Sequence, residues 1–256
     1  MTTDEPVPFE LDIAVLSDTG SERGHNEDHA GQHIRSATSA LVVVADGEAT
    51  FEGGALASQR AVAALVRSFG ELAPGLTQFQ RLVRAARNAN YEIYEAGLVV
   101  PQLRGMSTTL TAVAVTDGEM TAAHVGNGRV YLIRDGFINQ LSKDHTVAAE
   151  AAEAGRPVGP GRHALTRALG RELLVPIDLF ETVLASGDAV LICTDGLTRV
   201  FEDLEIAELV KGLAAAEACR RLIDQANAVG TLDNLSVGVL RVIGPTPAGR
   251  LRQRAE

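Results

Sequence analysis

The run Ala40-Leu41-Val42-Val43-Val44-Ala45 is apolar throughout and stops abruptly on Asp46-Gly47. Rich in β-branched valine and too short for a typical helix, it predicts a buried strand. A carboxylate at the end of such a strand is costly unless something compensates its charge. Two further segments repeat the pattern: "LICTDG" places Asp195 after an apolar strand, and "DNLSVGVL" places Asp233 before one. For any one of these sites turn chemistry is a sufficient account of the aspartate, and Asp117 and Asp135 are assigned to it. Three acids at the ends of three apolar strands point further. Strand ends on a rigid sheet can present side chains to a common point, and hard cations such as Mg²⁺ and Mn²⁺ take clustered oxygen ligands.

Other strand-like segments, bounded by Gly, Asp or Ser, lie at 11–17, 29–35, 108–116, 120–126, 129–134 and 179–184, and the acidic sites belong to 40–45, 188–194 and 234–242. Two helical patterns intervene, Val62, Leu65, Val66, Phe69 and then Phe79, Leu82, Val83, Ala86, Ile93. Asp-Gly in "TDGEMT" and "RDGFI" is a hairpin signal, so residues 108–140 are expected to form an antiparallel meander. Helices are expected near 145–154, 203–211 and 215–228. Many antiparallel strands with helices in pairs imply an α+β layered protein. A doubly wound fold would require strict alternation of strand and helix, which the pattern lacks.

The chain has 256 residues, 46% of them hydrophobic, enough for one sizeable core. A single domain over 11–243 is expected, with a flexible lead at 1–10 and a flexible tail at 244–256. The net charge of −10 disfavours nucleic acid and anionic membrane as partners. Cys193 and Cys219 are too few for a disulfide scaffold and lack metal-ligand spacing, so a reducing cytoplasm is expected. The N-terminal stretch has no secretory pattern, and no apolar run reaches membrane-spanning length. "DTGSERGHNED" adds Glu27, Asp28 and Arg23; by spacing alone Arg23 is a surface arginine with an acidic neighbour, although its planar fork also suits a phosphate near metal.

In order along the chain, "DTGSERGHNED", "VVVADG", "GMSTTLTAVAV", "AHVGNGRVYLIRDG", "LSKDHT", "LTRALG", "LICTDGL" and "DNLSVGVL" resemble the metal-dependent serine/threonine protein phosphatases of type 2C, particularly the compact bacterial type. The resemblance implies a four-layer sandwich of two antiparallel β-sheets flanked by pairs of α-helices. It implies two Mn²⁺ or Mg²⁺ ions on Asp46, the Gly47 carbonyl, Asp195 and Asp233, with Asp46 bridging them, and outer contacts through water to Glu27 and Asp28. Arg23 would bind the substrate phosphate, and a metal-bridging water would attack phosphorus directly. Phosphorylated proteins are the implied substrates, with a serine/threonine kinase and its targets as the partner class.

The chain departs from the family pattern in three places. "EATFEGG" follows Asp46-Gly47 where Met-Gly-Gly is usual, and Glu48 is read as a solvent-facing loop residue. "HVGNGR" puts Asn127 where an aspartate serves a third metal, implying reduced or abolished third-metal binding. The stretch from "DHT" to "LTRALG" is a shortened flap, with Asp144 read as the N-cap of the helix starting near His145. His25, His124, His145 and His163 are assigned to structural or exposed roles. Asn127 and the altered 48–52 loop also motivate an alternative, a pseudophosphatase that binds a phosphoprotein or kinase with weak or no catalysis. A two-metal nuclease or an aspartyl-nucleophile phosphatase is disfavoured by the acidic charge and by the missing Asp-x-Asp.

Overall fold

The computed structural model describes residues 9–48, 53–71, 75–159 and 161–244. Three strands open the chain: β1 (Glu10–Asp18), β2 (Asp28–Ser36) and β3 (Ser39–Glu48). Phe9 is buried and β1 already starts at Glu10; of the insertion at 48–52 only Glu48 lies within the described residues, as does Gly244 of the expected tail. Two long helices follow, α1 (Gly53–Glu71) and α2 (Gln78–Val99), the second begun by a reciprocal Thr77–Gln80 capping box. Next come β4 (Ser107–Thr108), β5 (Leu110–Thr116), β6 (Glu119–Val125), β7 (Arg129–Arg134), β8 (Phe137–Gln140), α3 (Val147–Glu153), β9 (Asp178–Val183) and β10 (Ala189–Cys193). The short α4 (Asp195–Thr198), α5 (Asp203–Val210), α6 (Ala215–Ala228) and β11 (Leu235–Ile243) complete the chain.

One antiparallel sheet runs β2-β3-β5-β6-β9, with β4 paired to the end of β3; the other runs β1-β11-β10-β7-β8. The apolar run of β3 is buried on both faces. Val42 and Val44 meet Val113, Val190, Ile192 and Leu240 between the sheets, while Leu41, Val43 and Ala45 meet Leu65, Leu82 and Ile93 of α1 and α2. On the far side Leu191, Cys193, Val237 and Val239 pack under Ile206, Leu222 and Ile223 of α5 and α6. The result is the expected four-layer sandwich. Full burial of each such Val, Leu or Ile contributes about 1.5–3 kcal/mol, and buried alanines on α1 and α2, among them Ala57, Ala61, Ala85 and Ala89, let helices pack closely without large side chains.

The meander expected over 108–140 is instead two hairpins in different sheets. Their Asp-Gly turns form as expected, with positive φ at Asp117 (51°) and Asp135 (53°), the signature of the primed hairpin turns. Between them, Gly126-Asn127-Gly128 carries the chain from one sheet to the other. A Cβ on Gly128 would stand 2.6 Å from Thr111 Oγ1, so the crossing needs a bare backbone there. Hairpin chemistry is local, and it does not reveal which sheet a hairpin joins. A second correction concerns Asp144: the N-cap of α3 is Thr146, whose hydroxyl accepts from Ala149 N at 3.2 Å. Asp144 is held away by a two-pronged grip from Arg129, at 3.1 and 3.0 Å.

Candidate metal centre

Asp28 opens β2 and Asp46 lies near the end of β3, and the two are direct cross-strand partners. Like charges so placed repel. Asp195 begins α4 just beyond β10, and Asp233 stands just before β11, so the second sheet brings its own acids to the same end of the sandwich. Burial pushes Asp28 up to about 7. Burial also raises Asp46 well above the usual carboxylate range, with further elevation from the charges of Asp28, Asp195 and Asp233. Asp195 is raised by burial as well, against the opposing pull of Arg199. Buried acids held this close together have a high affinity for protons or for cations.

The backbone under these acids is pinned from several sides. Thr109 Oγ1 accepts from Asp46 N at 2.9 Å, while Asp46 O accepts from Thr108 Oγ1 at 2.9 Å and from Thr109 N at 2.8 Å. Gly47 N donates to Glu27 O at 3.1 Å, and a Cβ on Gly47 would fall 2.0 Å from Gly54 O. Thr194 Oγ1 donates to Asp28 Oδ2 at 2.7 Å. Asn234 ties down the loop carrying Arg23: its Oδ1 accepts from Glu27 N at 2.9 Å, and its Nδ2 donates to Thr19 O and His25 O at 2.6 and 3.0 Å.

Two arginines reach into the cluster. Arg23 Nη2 is 2.7 Å from Asp233 Oδ1, with its Nε on Leu232 O at 3.0 Å. Arg199 donates from Nε and Nη2 to Asp195 Oδ2 at 2.9 and 2.6 Å, and its Nη1 lies 3.3 Å from Asp233 Oδ2. Asn127 Nδ2 donates to the same Asp195 oxygen at 2.7 Å. Sequence reasoning missed Arg199, Thr194 and Asn234. The latter two adjoin Asp195 and Asp233, and Arg199 is legible only as the residue four positions after Asp195 once α4 is known. Glu48 is exposed and pairs with Arg171.

The crossing at 126–128 is braced from behind. His145 Nδ1 accepts from Gly126 N at 3.0 Å, leaving Nε2–H to donate to Asp178 at 3.1 Å. His124 donates from Nε2 to Gly126 O and Lys143 O, both at 3.0 Å, with its ring centroid 4.9 Å from that of His145. These two histidines are structural, and His25 and His163 are exposed, as expected. Neither cysteine enters the site: both are free and buried.

The donor set fits divalent cations. Asp28 Oδ1 and Asn127 Oδ1 are buried oxygens with no hydrogen-bond partner, and clustered carboxylate oxygens are the ligands hard ions take. Among the described residues no three acidic, histidine or cysteine side chains already close around one point; Arg23 and Arg199 hold Asp195 and Asp233 in ion pairs instead. Beside Asp195 opens a cavity of about 570 Å³, lined by Asn127, Arg129, Asp144, Arg162, His163 and Arg199 among others.

A two-sheet sandwich with carboxylates gathered at one end from both sheets defines a scaffold for an oxygen-ligated metal centre. The chain belongs to the protein phosphatase 2C family, whose model matches residues 21–236. The protein phosphatase PhpP of Streptococcus pneumoniae is 28% identical over 245 residues, which cover 90% of this chain and 97% of that protein. The serine/threonine phosphatase Stp of Listeria monocytogenes is 32% identical over 231 residues, 86% of this chain and 92% of that protein. The crystal structure of the catalytic domain of the serine/threonine protein phosphatase PstP, in complex with two manganese ions, matches with a TM-score of 0.81 at 33% identity, covering 92% of this chain and 100% of that one.

Proposed function

We propose that this protein is a Mn²⁺- or Mg²⁺-dependent protein-serine/threonine phosphatase that hydrolyses phosphoserine and phosphothreonine in proteins. The observation that carries the reading is the convergence of Asp28, Asp46, Asp195 and Asp233 at the ends of two sheets, with raised proton affinity at three of them. Asp46, the Gly47 carbonyl, Asp195 and Asp233 would hold two ions, with Glu27 and Asp28 contributing through water. When bound, two such ions supply an activated water near neutral pH and offset the charge of the phosphate.

The chain's own groups do the rest. Arg23 is half-exposed, and its fork is free to turn from Asp233 to two oxygens of a phosphate once a cation neutralises that carboxylate. Protons held by the raised carboxyls leave as the centre loads, so metal affinity rises with pH. Burial pushes both thiols up to about 12, so neither cysteine supplies a thiolate nucleophile, in keeping with direct hydrolysis. The cavity beside Asp195 would take polypeptide flanking the phosphorylated residue. Proteins phosphorylated by a serine/threonine kinase are the partner class, and the two free, buried cysteines favour a cytoplasmic setting.

The test is phosphate release from a phosphothreonine peptide with Mn²⁺, Mg²⁺ or chelator, alongside Asp46→Asn and Asp233→Asn. Release should need metal and fall by about two orders of magnitude or more in either folded variant, the scale on which loss of one electrostatic stabiliser of a transition state registers. Full turnover in Asp46→Asn, or release that survives chelation, would overturn the reading.

A further inference from the structure

Asp195 presents its two oxygens unequally. Three N–H groups converge on Oδ2: Asn127 Nδ2 at 2.7 Å, Arg199 Nε at 2.9 Å and Arg199 Nη2 at 2.6 Å. The helix explains the arginine's reach. Arg199 is the C-cap of α4, four residues after Asp195, so the two side chains meet across one turn. Its remaining arm lies 3.3 Å from Asp233 Oδ2, so a single guanidinium spans both acids of the second sheet. At this corner Asn127 brings a neutral amide, and its Oδ1 is buried without a partner. Neutral ligand and tethered cation therefore share one carboxylate oxygen.

We propose that Arg199 is a built-in cation of the centre. Standing on the Asn127 side of Asp195, it occupies the place where a further divalent ion would bind, so the centre accepts two ions and refuses a third. This rests on the two-ion phosphatase reading and goes beyond it. The chemistry is specific to this pair of residues. A guanidinium stays charged at any working pH and matches a carboxylate with parallel N–H groups. A hard divalent ion at the same corner would find one amide oxygen for a ligand, a carboxylate oxygen already saturated by donors, and a positive charge beside it. The adjoining cavity is open, so access is not what keeps an ion out.

The number of Mn²⁺ ions bound per chain, counted from the EPR signal of the free ion in a titration carried into the millimolar range, tests this without reference to turnover. Wild type and Arg199→Ala should bind two, the latter because Asn127 still lacks a charge. Asn127→Asp should also bind two, because Arg199 pairs with the new carboxylate. Only Asn127→Asp/Arg199→Ala should bind three, its third site at least tenfold tighter than any in Asn127→Asp. Three ions in wild type or in Asn127→Asp alone would overturn the inference, as would two in the double variant. The wild-type count stands whether or not the variants fold. A wild type that binds no ion would instead sink the phosphatase reading on which the inference rests.

Discussion

Asp28 and Asp46 face one another across β2 and β3, a pairing that works against the fold and serves the site. The cost has a sign that can be measured. With Asp28 raised from 3.8 to about 7, the folded state binds the extra proton, so the destabilisation is fully present above pH 7 and is relieved as pH falls towards 3.8. In chelator at pH 8, Asp28→Asn should therefore stabilise the protein by on the order of 2 kcal/mol in urea unfolding. Mn²⁺ should erase or reverse that gain, and a variant less stable than wild type in chelator would contradict the account. Asp46, Asp195 and Asp233 were legible in the sequence because each closes or opens an apolar strand. Arg199 was not, since its partner lies one turn away on a four-residue helix that no periodicity announces.

At the scale of elements, the centre depends on a loop that makes no regular structure. Residues 19–27 link β1 to β2 and carry Arg23, and Asn234 holds them by three hydrogen bonds from the start of β11. Asn234→Ala removes all three and leaves part-buried backbone groups unpaired, for a loss of about 2–3 kcal/mol. Because Arg23 loses its anchorage, KM for a phosphopeptide should rise more than kcat falls; an unchanged KM would detach the loop from substrate binding. Gly47→Ala should be harsher, since its Cβ would meet backbone oxygen at 2.0 Å, and loss of Mn²⁺ binding at a retained circular dichroism spectrum would register it. Strands and long helices were legible from their periods of two and 3.6 residues. Sheet membership was not: the crossing at 126–128 is dictated by what β7 packs against, and those partners, β8 and β10, include one some sixty residues onward.

For the whole molecule, acid should act through the histidines that brace this crossing. Burial, aided by the neighbouring His145, lowers His124 from 6.5 to about 4, so the unfolded chain binds the extra proton between those values. Its contribution is fully present above pH 6.5 and is lost as pH falls through that window, up to about 3 kcal/mol. Asp28 pulls the opposite way across the whole of that range, so the slope is best read in the Asp28→Asn background. There His124→Asn should flatten the dependence of unfolding free energy on pH between 6.5 and 4, and an unchanged slope would place the acid sensitivity elsewhere.

Two of the four clustered aspartates lie in strands of one sheet, and the other two stand beside the ends of strands of the other. An ion shared between them would be a rivet through the open end of the sandwich, adding to the apolar contacts and to the few polar bonds, such as Thr194 to Asp28 and Arg134 to Val183 O, that already join the two halves. Pulling it out with a chelator should speed amide hydrogen exchange in β3 and β10, which meet across the interior, while the Asp46→Asn protein, never riveted, should show no such response. Metal supply would then govern how long the protein lasts as well as how fast it works.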